Sequence, residues 1–287
     1  IRFQRGERMG NDLEDNPATQ PEIEIHSISE LLQQIKEARD LNKQAETDLS
    51  EDSEPELWFR GQSNSTWQLS PGLWRDESSS GTNNEMEYLY QFRQVAAREF
   101  NSLNLDKWGW LTFAQHHTLP TRLLDWSTQP LIALYFACHE QTDRTSDLSN
   151  GHGALFILNP RRLNQNASSR TSIFNSNPRG TPPLLIESNA TLNDYHPELS
   201  NSSQPLPPIA ARAPLLFERI IFQSGTFTIH TEPEPGKDSF KNCVTRFLIP
   251  DTSKQTILEE LHILGISEFS IYRDLDRAAQ HLKKEIK

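Results

Sequence analysis

The chain has 287 residues, of which 35% are hydrophobic, and its 39 acidic and 28 basic residues give a net charge of −11. This charge disfavours broad adhesion to nucleic acid or to an anionic membrane, although a local basic cleft is compatible with it. Two cysteines do not make a disulfide framework, and no apolar run approaches the roughly 20 residues that span a bilayer. We therefore expect a cytoplasmic protein without a membrane partner.

Polar stretches rich in Ser, Asn and Pro divide the chain. They occur at residues 1–21, 140–152 and 164–208. Such composition buries little apolar surface and is typical of tails and loops. We predict a disordered tail at 1–21 and one folded domain over 22–287. We expect its polar insert, at about 164–208, to be a surface loop with little regular structure.

Hydrophobic spacing and composition predict the elements of the first half. Apolar residues from Met86 to Leu103 recur at intervals of three and four, which indicates an amphipathic helix. Before this helix, which we place at 85–103, we predict a strand at 22–25, a helix that begins after Ser27 or Ser29, and a strand at 57–61. After it we predict a short helix from 108 that ends at Leu119–Pro120, and then an extended segment at 121–126. An apolar helix at 131–139 follows, and Ser127 or Thr128 is expected to cap it.

Strands and helices continue irregularly in the second half. Strand composition occurs at 154–158, 220–230 and 243–249. Helices are predicted at 253–264, ending at Gly265, and at 275–286. Because strands and helices do not alternate as repeated units, the pattern favours an α+β fold: a single domain with a mixed, mainly antiparallel sheet and flanking helices.

The segment WFRGQSNSTWQLSPGLWR places Arg60, Gly61 and Gln62 in succession among three tryptophans. An arginine offers a planar fork for phosphate or carboxylate, and a following glycine lets the backbone approach a ligand closely. The segment therefore predicts an anion-binding strand end. The alternative is a buried Arg60 that backbone carbonyls and one acidic partner satisfy.

The segment QHHTLPTRLLDWSTQPLIALYFAC carries polar residues inside an apolar run. Polar groups in such a run must satisfy one another or face a cavity, and Arg122 and Asp125 are candidate partners. Adjacent histidines point in different directions on any regular element, so His116 and His117 make a poor chelate, and we expect no metal. Gln115 completes the polar set.

The two segments together resemble the FRG domain, named for the tripeptide Phe59-Arg60-Gly61. The resemblance also includes the helix at 85–103, the block from Gln115 to Trp126, the helix around Ala133–Ala137 and a late strand from Arg219 to Phe227, so that it extends over roughly 57–280. Thr118 departs from the family, which more often has glycine there. The resemblance implies a bacterial or phage-associated protein, with a role in bacterial conflict or phage defence.

A remoter resemblance is to ADP-ribosyltransferases, which begin their site with an aromatic-Arg-Gly strand. By this analogy an ADP-ribosyltransferase-like cleft binds NAD as substrate: Arg60 holds the dinucleotide, and Gly61, Gln62, Gln115, Arg122 and Tyr135 are cofactor-binding candidates. Candidate catalytic residues are Arg60, His117, Asp125 and Gln223. Because a carboxamide cannot take a proton, the acid would be Glu218 or Asp125.

Three functions follow from these residues. The first is a nucleotide-binding domain, with transfer of ADP-ribose to a protein or nucleic-acid acceptor. The second is a non-catalytic interaction module in which Arg60, Gln115 and Asp125 form a buried polar network. The third is a hydrolase that uses His117 and Asp125, for which the sequence contains no nucleophile motif.

Overall fold

The computed structural model describes most of the chain between residues 22 and 272. The described residues are 22–45, 55–75, 82–99, 105–139, 151–168, 184–185, 190–200, 204–212, 225–233, 240 and 242–272. The predicted tail at 1–21 and the predicted helix at 275–286 therefore lie outside them.

Helices flank a single sheet. The α-helices are α1 (Ile28–Ala45), α2 (Thr82–Glu99), α3 (Lys107–His116), α4 (Pro130–Cys138), α5 (Pro160–Ser168), α6 (Asp251–Ile263) and α7 (Glu268–Tyr272), and short 3-10 helices occupy Gly72–Trp74 and Ala190–Tyr195. The strands are β1 (Trp58–Gln62), β2 (Leu123–Ser127), β3 (Gly153–Leu158), β4 (Leu184–Leu185), β5 (Ile209–Arg212), β6 (Gly225–Ile229) and β7 (Val244–Ile249).

The sheet has seven strands in the order β4-β5-β6-β2-β1-β3-β7. Every neighbouring pair is antiparallel except β4 and β5, which are parallel. A parallel bridge between Glu24 and Leu248 attaches the N-terminal segment to β7. The predicted α+β fold with a mixed, mainly antiparallel sheet is thus confirmed.

The two faces of β1 have different environments. Phe59 belongs to the core cluster that includes α4 side chains, whereas Trp58 belongs to a cluster on the opposite face with Trp126 and Phe156. Because side chains alternate along a strand, Arg60 and Gln62 share the face of Trp58.

Two glycines allow α4 to lie directly on the sheet. A Cβ atom at Gly61 would overlap the carbonyl oxygen of Ala133 and lie 2.5 Å from the backbone nitrogen of Ala137. A Cβ at Gly153 would overlap the carbonyl oxygen of Ala137. Gly61 thus allows the backbone of α4 to pack directly against β1. The sequence suggested a different reason for this glycine, namely that a ligand approaches the backbone there.

Local chemistry sets the helix ends. The Ser27 hydroxyl accepts a hydrogen bond from the backbone N–H of Glu30 (3.2 Å), as predicted for an N-cap. Gly265 has a φ of 79° after α6, the left-handed conformation expected of a terminator. The predicted side-chain cap of α4 is wrong, because Pro130 at the first turn follows Gln129, whose side chain makes no capping bond.

The polar insert at 164–208, predicted to be a surface loop with little regular structure, contains regular elements and buried residues in its described parts. Its first residues continue α5, where the Asn164 side chain donates to the Ala210 carbonyl (3.1 Å) and accepts from the Ala210 N–H (2.7 Å). Leu192, Tyr195 and His196 are fully buried. Tertiary contacts thus order a segment whose composition resembles a loop.

Helix α3 ends in a Schellman motif at Thr118. The N–H of Leu119 donates to the Ala114 carbonyl and that of Thr118 to the Gln115 carbonyl, both at 3.0 Å. Thr118 has a φ of 64°. A β-branched residue is strained in this conformation, and glycine is not.

Thr118→Gly should therefore stabilise the domain. Relief of left-handed strain is worth about 1–2 kcal/mol, from which the greater chain entropy of glycine in the unfolded state subtracts about 0.5–1 kcal/mol. We expect a net gain of up to about 1 kcal/mol in urea unfolding. A lower stability for the glycine variant would show that the Thr118 side chain contributes more than its strain costs.

Candidate functional site

A pocket of about 390 Å³ opens at the C-terminal end of β1. It is formed by the end of the strand, by the loop that follows it, by Phe136 of α4 and by Pro233. The described lining residues are Arg60, Gly61, Gln62, Ser63, Thr66, Trp67, Gln68, Ser70, Trp74, Arg75, Phe136 and Pro233. None of them is acidic, and the lining thus combines two cations with aromatic surface.

Short-range hydrogen bonds shape the loop after β1. The Asn64 side chain accepts from the N–H (2.9 Å) and hydroxyl (2.8 Å) of Thr66, an Asx turn. The Leu73 N–H donates to the carbonyl of Thr121 (3.1 Å), and Leu73 is fully buried. These bonds hold Trp67 and Trp74 on the pocket wall.

Arg60 joins the pocket to strand β2. Its Nη1 donates to the backbone carbonyl of Asp125 (2.7 Å), and its side chain is half-buried. The predicted strand-end arginine is thus in place. A bond to a backbone carbonyl is also one that the structural alternative for Arg60 requires, in addition to an acidic partner.

A hydrogen-bonded network extends from Arg60 to α3. The Gln115 Nε2 donates to the Asp125 carboxylate (2.8 Å), and the Thr121 hydroxyl donates to Gln115 Oε1 (2.5 Å). The Asp125 side chain is exposed. The network that the sequence predicted for Arg60, Gln115 and Asp125 therefore exists, but it lies at the surface.

Arg122 pairs with Glu85 of α2, so the predicted pair with Asp125 is wrong. Arg122 Nε and Nη2 both lie 2.7 Å from Glu85 Oε2, and its Nη1 donates to the Tyr195 carbonyl (2.8 Å). Arg122 is 5% exposed and Glu85 is 0% exposed. Burial raises the pKa of Glu85, while the Arg122 charge opposes this rise. The pair is a structural element of the core.

Two other predicted site residues contact aromatic side chains. The exposed His117 ring lies edge-on to Phe113, with centroids 4.6 Å apart. Tyr135 is buried in the core and stacks on His139, with centroids 4.9 Å apart. The side chain that α4 presents to the pocket is Phe136. Gln223 and Glu218 lie outside the described residues.

Buried polar groups lie on β6, on the sheet face of Arg60. The Thr228 hydroxyl accepts from Trp126 Nε1 (3.1 Å) and is 2.9 Å from His230 Nε2. Burial, with a smaller contribution from the Arg60 charge, lowers the pKa of His230 to about 3. His230 is therefore uncharged at neutral pH. The alternation Thr226-Thr228-His230 places these side chains on that face, but none of them belongs to the described pocket lining.

Across the part of the chain that the structure describes, no three His, Cys, Asp or Glu side chains lie close enough together to bind a metal ion. No described helix is both long and apolar enough to cross a bilayer.

The pocket loop and the network both fall within one family match. Residues 55–146 match the family model for the FRG domain, and this range includes β1, β2, α2, α3 and α4. No curated protein and no solved structure matches the chain. The segment at 219–227, which the predicted resemblance includes, lies beyond the matched range. The chain therefore contains an FRG domain, matched over residues 55–146.

Proposed function

We propose that the pocket binds a nucleotide, with NAD as the ligand to test first. The observation that carries the proposal is the lining: the guanidinium groups of Arg60 and Arg75 lie in one pocket with the rings of Trp67, Trp74 and Phe136. A nucleotide joins an anion to a flat ring, and arginine and aromatic side chains recognise these two parts.

Position and burial support this assignment. Arg75 is exposed and its Nε donates to the Ser70 carbonyl (2.8 Å), which restrains the guanidinium. Arg60 is half-buried. The described lining residues include two arginines and no carboxylate, a composition that favours an anionic ligand.

ADP-ribose transfer is the reaction that we propose for this site, on the resemblance to ADP-ribosyltransferases. The chemistry needs a group that stabilises positive charge as the nicotinamide bond breaks. Asp125 is connected to Arg60 through its carbonyl, but its carboxylate accepts from Gln115. Glu218 is the remaining acidic candidate, and Gln223 is a candidate to hydrogen-bond the ribose hydroxyls. The FRG domain further supports a role in bacterial conflict or phage defence.

The non-catalytic interaction module is the second candidate, and one observation favours it. The bonds that link Arg60, Asp125, Gln115 and Thr121 run from the exposed Asp125 to the buried Thr121, and such a network can hold a rigid face toward a protein or nucleic-acid partner. A domain of this kind would show no response to nucleotide.

A thermal-shift experiment tests nucleotide binding. NAD at 100 times its dissociation constant should stabilise the wild type by about 2.7 kcal/mol. Arg75→Gln should weaken binding about tenfold, through loss of a charge-assisted contact, and leave the melting temperature without ligand nearly unchanged. Arg39→Gln is the matched control, because Arg39 is an exposed arginine on α1. Equal shifts for all three proteins would place the ligand elsewhere, and no shift in any would favour the interaction module.

A further inference from the structure

The loop that follows β1 is bonded to residues from the C-terminal part of the chain. Lys254, near the start of α6, donates from Nζ to the backbone carbonyl of Ser63 (2.8 Å). Arg246, on β7, donates from Nη2 to the backbone carbonyl of Ser65 (2.7 Å). Two charged donors from outside the family match therefore hold the segment at 63–65, which leads from β1 into the pocket wall.

A third connection to this segment passes through His152. The Ser65 N–H donates to the His152 carbonyl (2.8 Å), and His152 Nδ1 accepts from the N–H of Asp251 (3.1 Å), the first residue of α6. Ser65 is thus held at both its N–H and its carbonyl. Because the Asx turn of Asn64 lies inside the held segment, the same bonds fix where the chain enters the pocket wall at Trp67.

The burial of Lys254 is unusual for a lysine. It is 6% exposed, and none of the ion pairs among the described residues includes it. Burial of a charge without an opposite charge is costly, and an apolar side chain would fill the same space at lower cost. The charge-assisted bond to the Ser63 carbonyl offsets that cost, and an apolar residue could not make it.

The conformation of the loop matters for any ligand of the pocket. The loop contributes five of the described lining residues: Ser63, Thr66, Trp67, Gln68 and Ser70. If the loop were free to leave the pocket, binding would have to order it first. The apparent affinity would then fall in proportion to the fraction of molecules whose loop is in the binding conformation.

We propose that Lys254 and Arg246 are positioning residues of the nucleotide site, which hold the loop at 63–70 in the conformation that forms the pocket wall. The inference rests on the proposed nucleotide function, and it extends the site to α6 and β7. Neither residue is among the described lining residues, so each acts through the loop backbone rather than by contact with the ligand. The range that matches the FRG family supplies the pocket wall, and the C-terminal part holds it in place.

Hydrogen exchange measured by mass spectrometry tests the hold on the loop without any ligand. In Lys254→Met the amides of a peptide that covers 63–70 should exchange at least about tenfold faster than in the wild type, because the loop opens more often. Lys36→Met is the matched control, since Lys36 is an exposed lysine on α1, and its loop should exchange as in the wild type. Unchanged loop exchange in a folded Lys254→Met would overturn the proposal.

Arg246→Gln carries the same test if Lys254→Met does not fold. Arg246 is exposed, so its replacement is tolerated more easily, and the variant lacks the bond to the Ser65 carbonyl. Arg246 also pairs with Glu22, and Glu22→Gln is therefore the control, because it removes this ion pair and keeps the bond to the loop. Faster loop exchange in Arg246→Gln than in Glu22→Gln is the expected result, and equal exchange in the two would overturn the role of Arg246.

Calorimetric titration of NAD into the folded variants links the loop to the site. At a temperature where circular dichroism shows each protein to be folded, the dissociation constant should be at least about tenfold higher for Lys254→Met than for the wild type or Lys36→Met. A merely structural role would lower the melting temperature and leave the affinity of the folded protein unchanged, and that result would overturn the positioning role alone. If the wild type does not bind NAD, the nucleotide function itself fails, and this role with it.

Discussion

Gly61→Ala should prevent the domain from reaching its native structure. The added methyl group would overlap the Ala133 carbonyl oxygen and approach the Ala137 nitrogen to 2.5 Å, and both are backbone atoms of a buried helix. Backbone cannot rotate away as a side chain can, so α4 would have to leave the sheet. We expect a cost above the roughly 1–3 kcal/mol of ordinary overpacking, and loss of the pocket wall that Phe136 provides.

Gly72→Ala is the matched control for this experiment. A Cβ at Gly72 would lie 3.7 Å from the Cα of Pro120, an ordinary van der Waals contact. Circular dichroism melts of the two variants should therefore differ: the Gly72 variant should unfold as the wild type does, and the Gly61 variant should be largely unfolded or melt far earlier. Similar melting temperatures would contradict the close contact between β1 and α4.

Glu85→Gln should produce the second large effect. Glu85 is 0% exposed and accepts from the backbone N–H (2.9 Å) and the side chain of Arg122. Removal of its charge leaves a buried guanidinium without compensation, which costs about 3–5 kcal/mol. Since domains of this size are stable by only about 5–15 kcal/mol, urea unfolding should move to a much lower midpoint.

Glu87→Gln provides the comparison on the same helix. Glu87 is exposed and accepts a bond from Gln91 four residues later, and surface contacts of this kind are worth about 0.3–0.5 kcal/mol. The double variant Glu85→Met with Arg122→Met should be more stable than Glu85→Gln alone, because it removes both charges together. If Glu85→Gln were no more destabilising than Glu87→Gln, the pair would not be a core element.

Helices and strands that have one apolar face could be predicted from the sequence. The spacing in α2, the cap at Ser27 and the terminator at Gly265 are local features, so they could be predicted without tertiary information. Among the segments that were not predicted are α5, β5 and the 3-10 helix at Ala190–Tyr195. Their burial depends on contacts with residues far along the chain, which a polar composition does not reveal.

Part of the candidate site was also predictable, because some of its residues are close together in the sequence. Arg60 and the tryptophans are adjacent in sequence, and the loop after β1 brings them to one pocket. The partner of Arg122 was not predictable, because Glu85 is 37 residues away and Asp125 is three. The role of Gly61 needed the position of α4, which only the fold supplies.

Calorimetric titration of NAD into the wild type and Arg60→Lys tests the central claim most directly. Lysine keeps the charge but loses the planar fork, so a folded variant should bind NAD at least about tenfold more weakly. Its melting temperature without ligand checks that loss of the bond to the Asp125 carbonyl leaves the fold intact. Measurable binding by the wild type and weaker binding by the variant is the result that we predict. No heat of binding from the wild type, or equal affinities for the two proteins, would contradict a nucleotide site at Arg60.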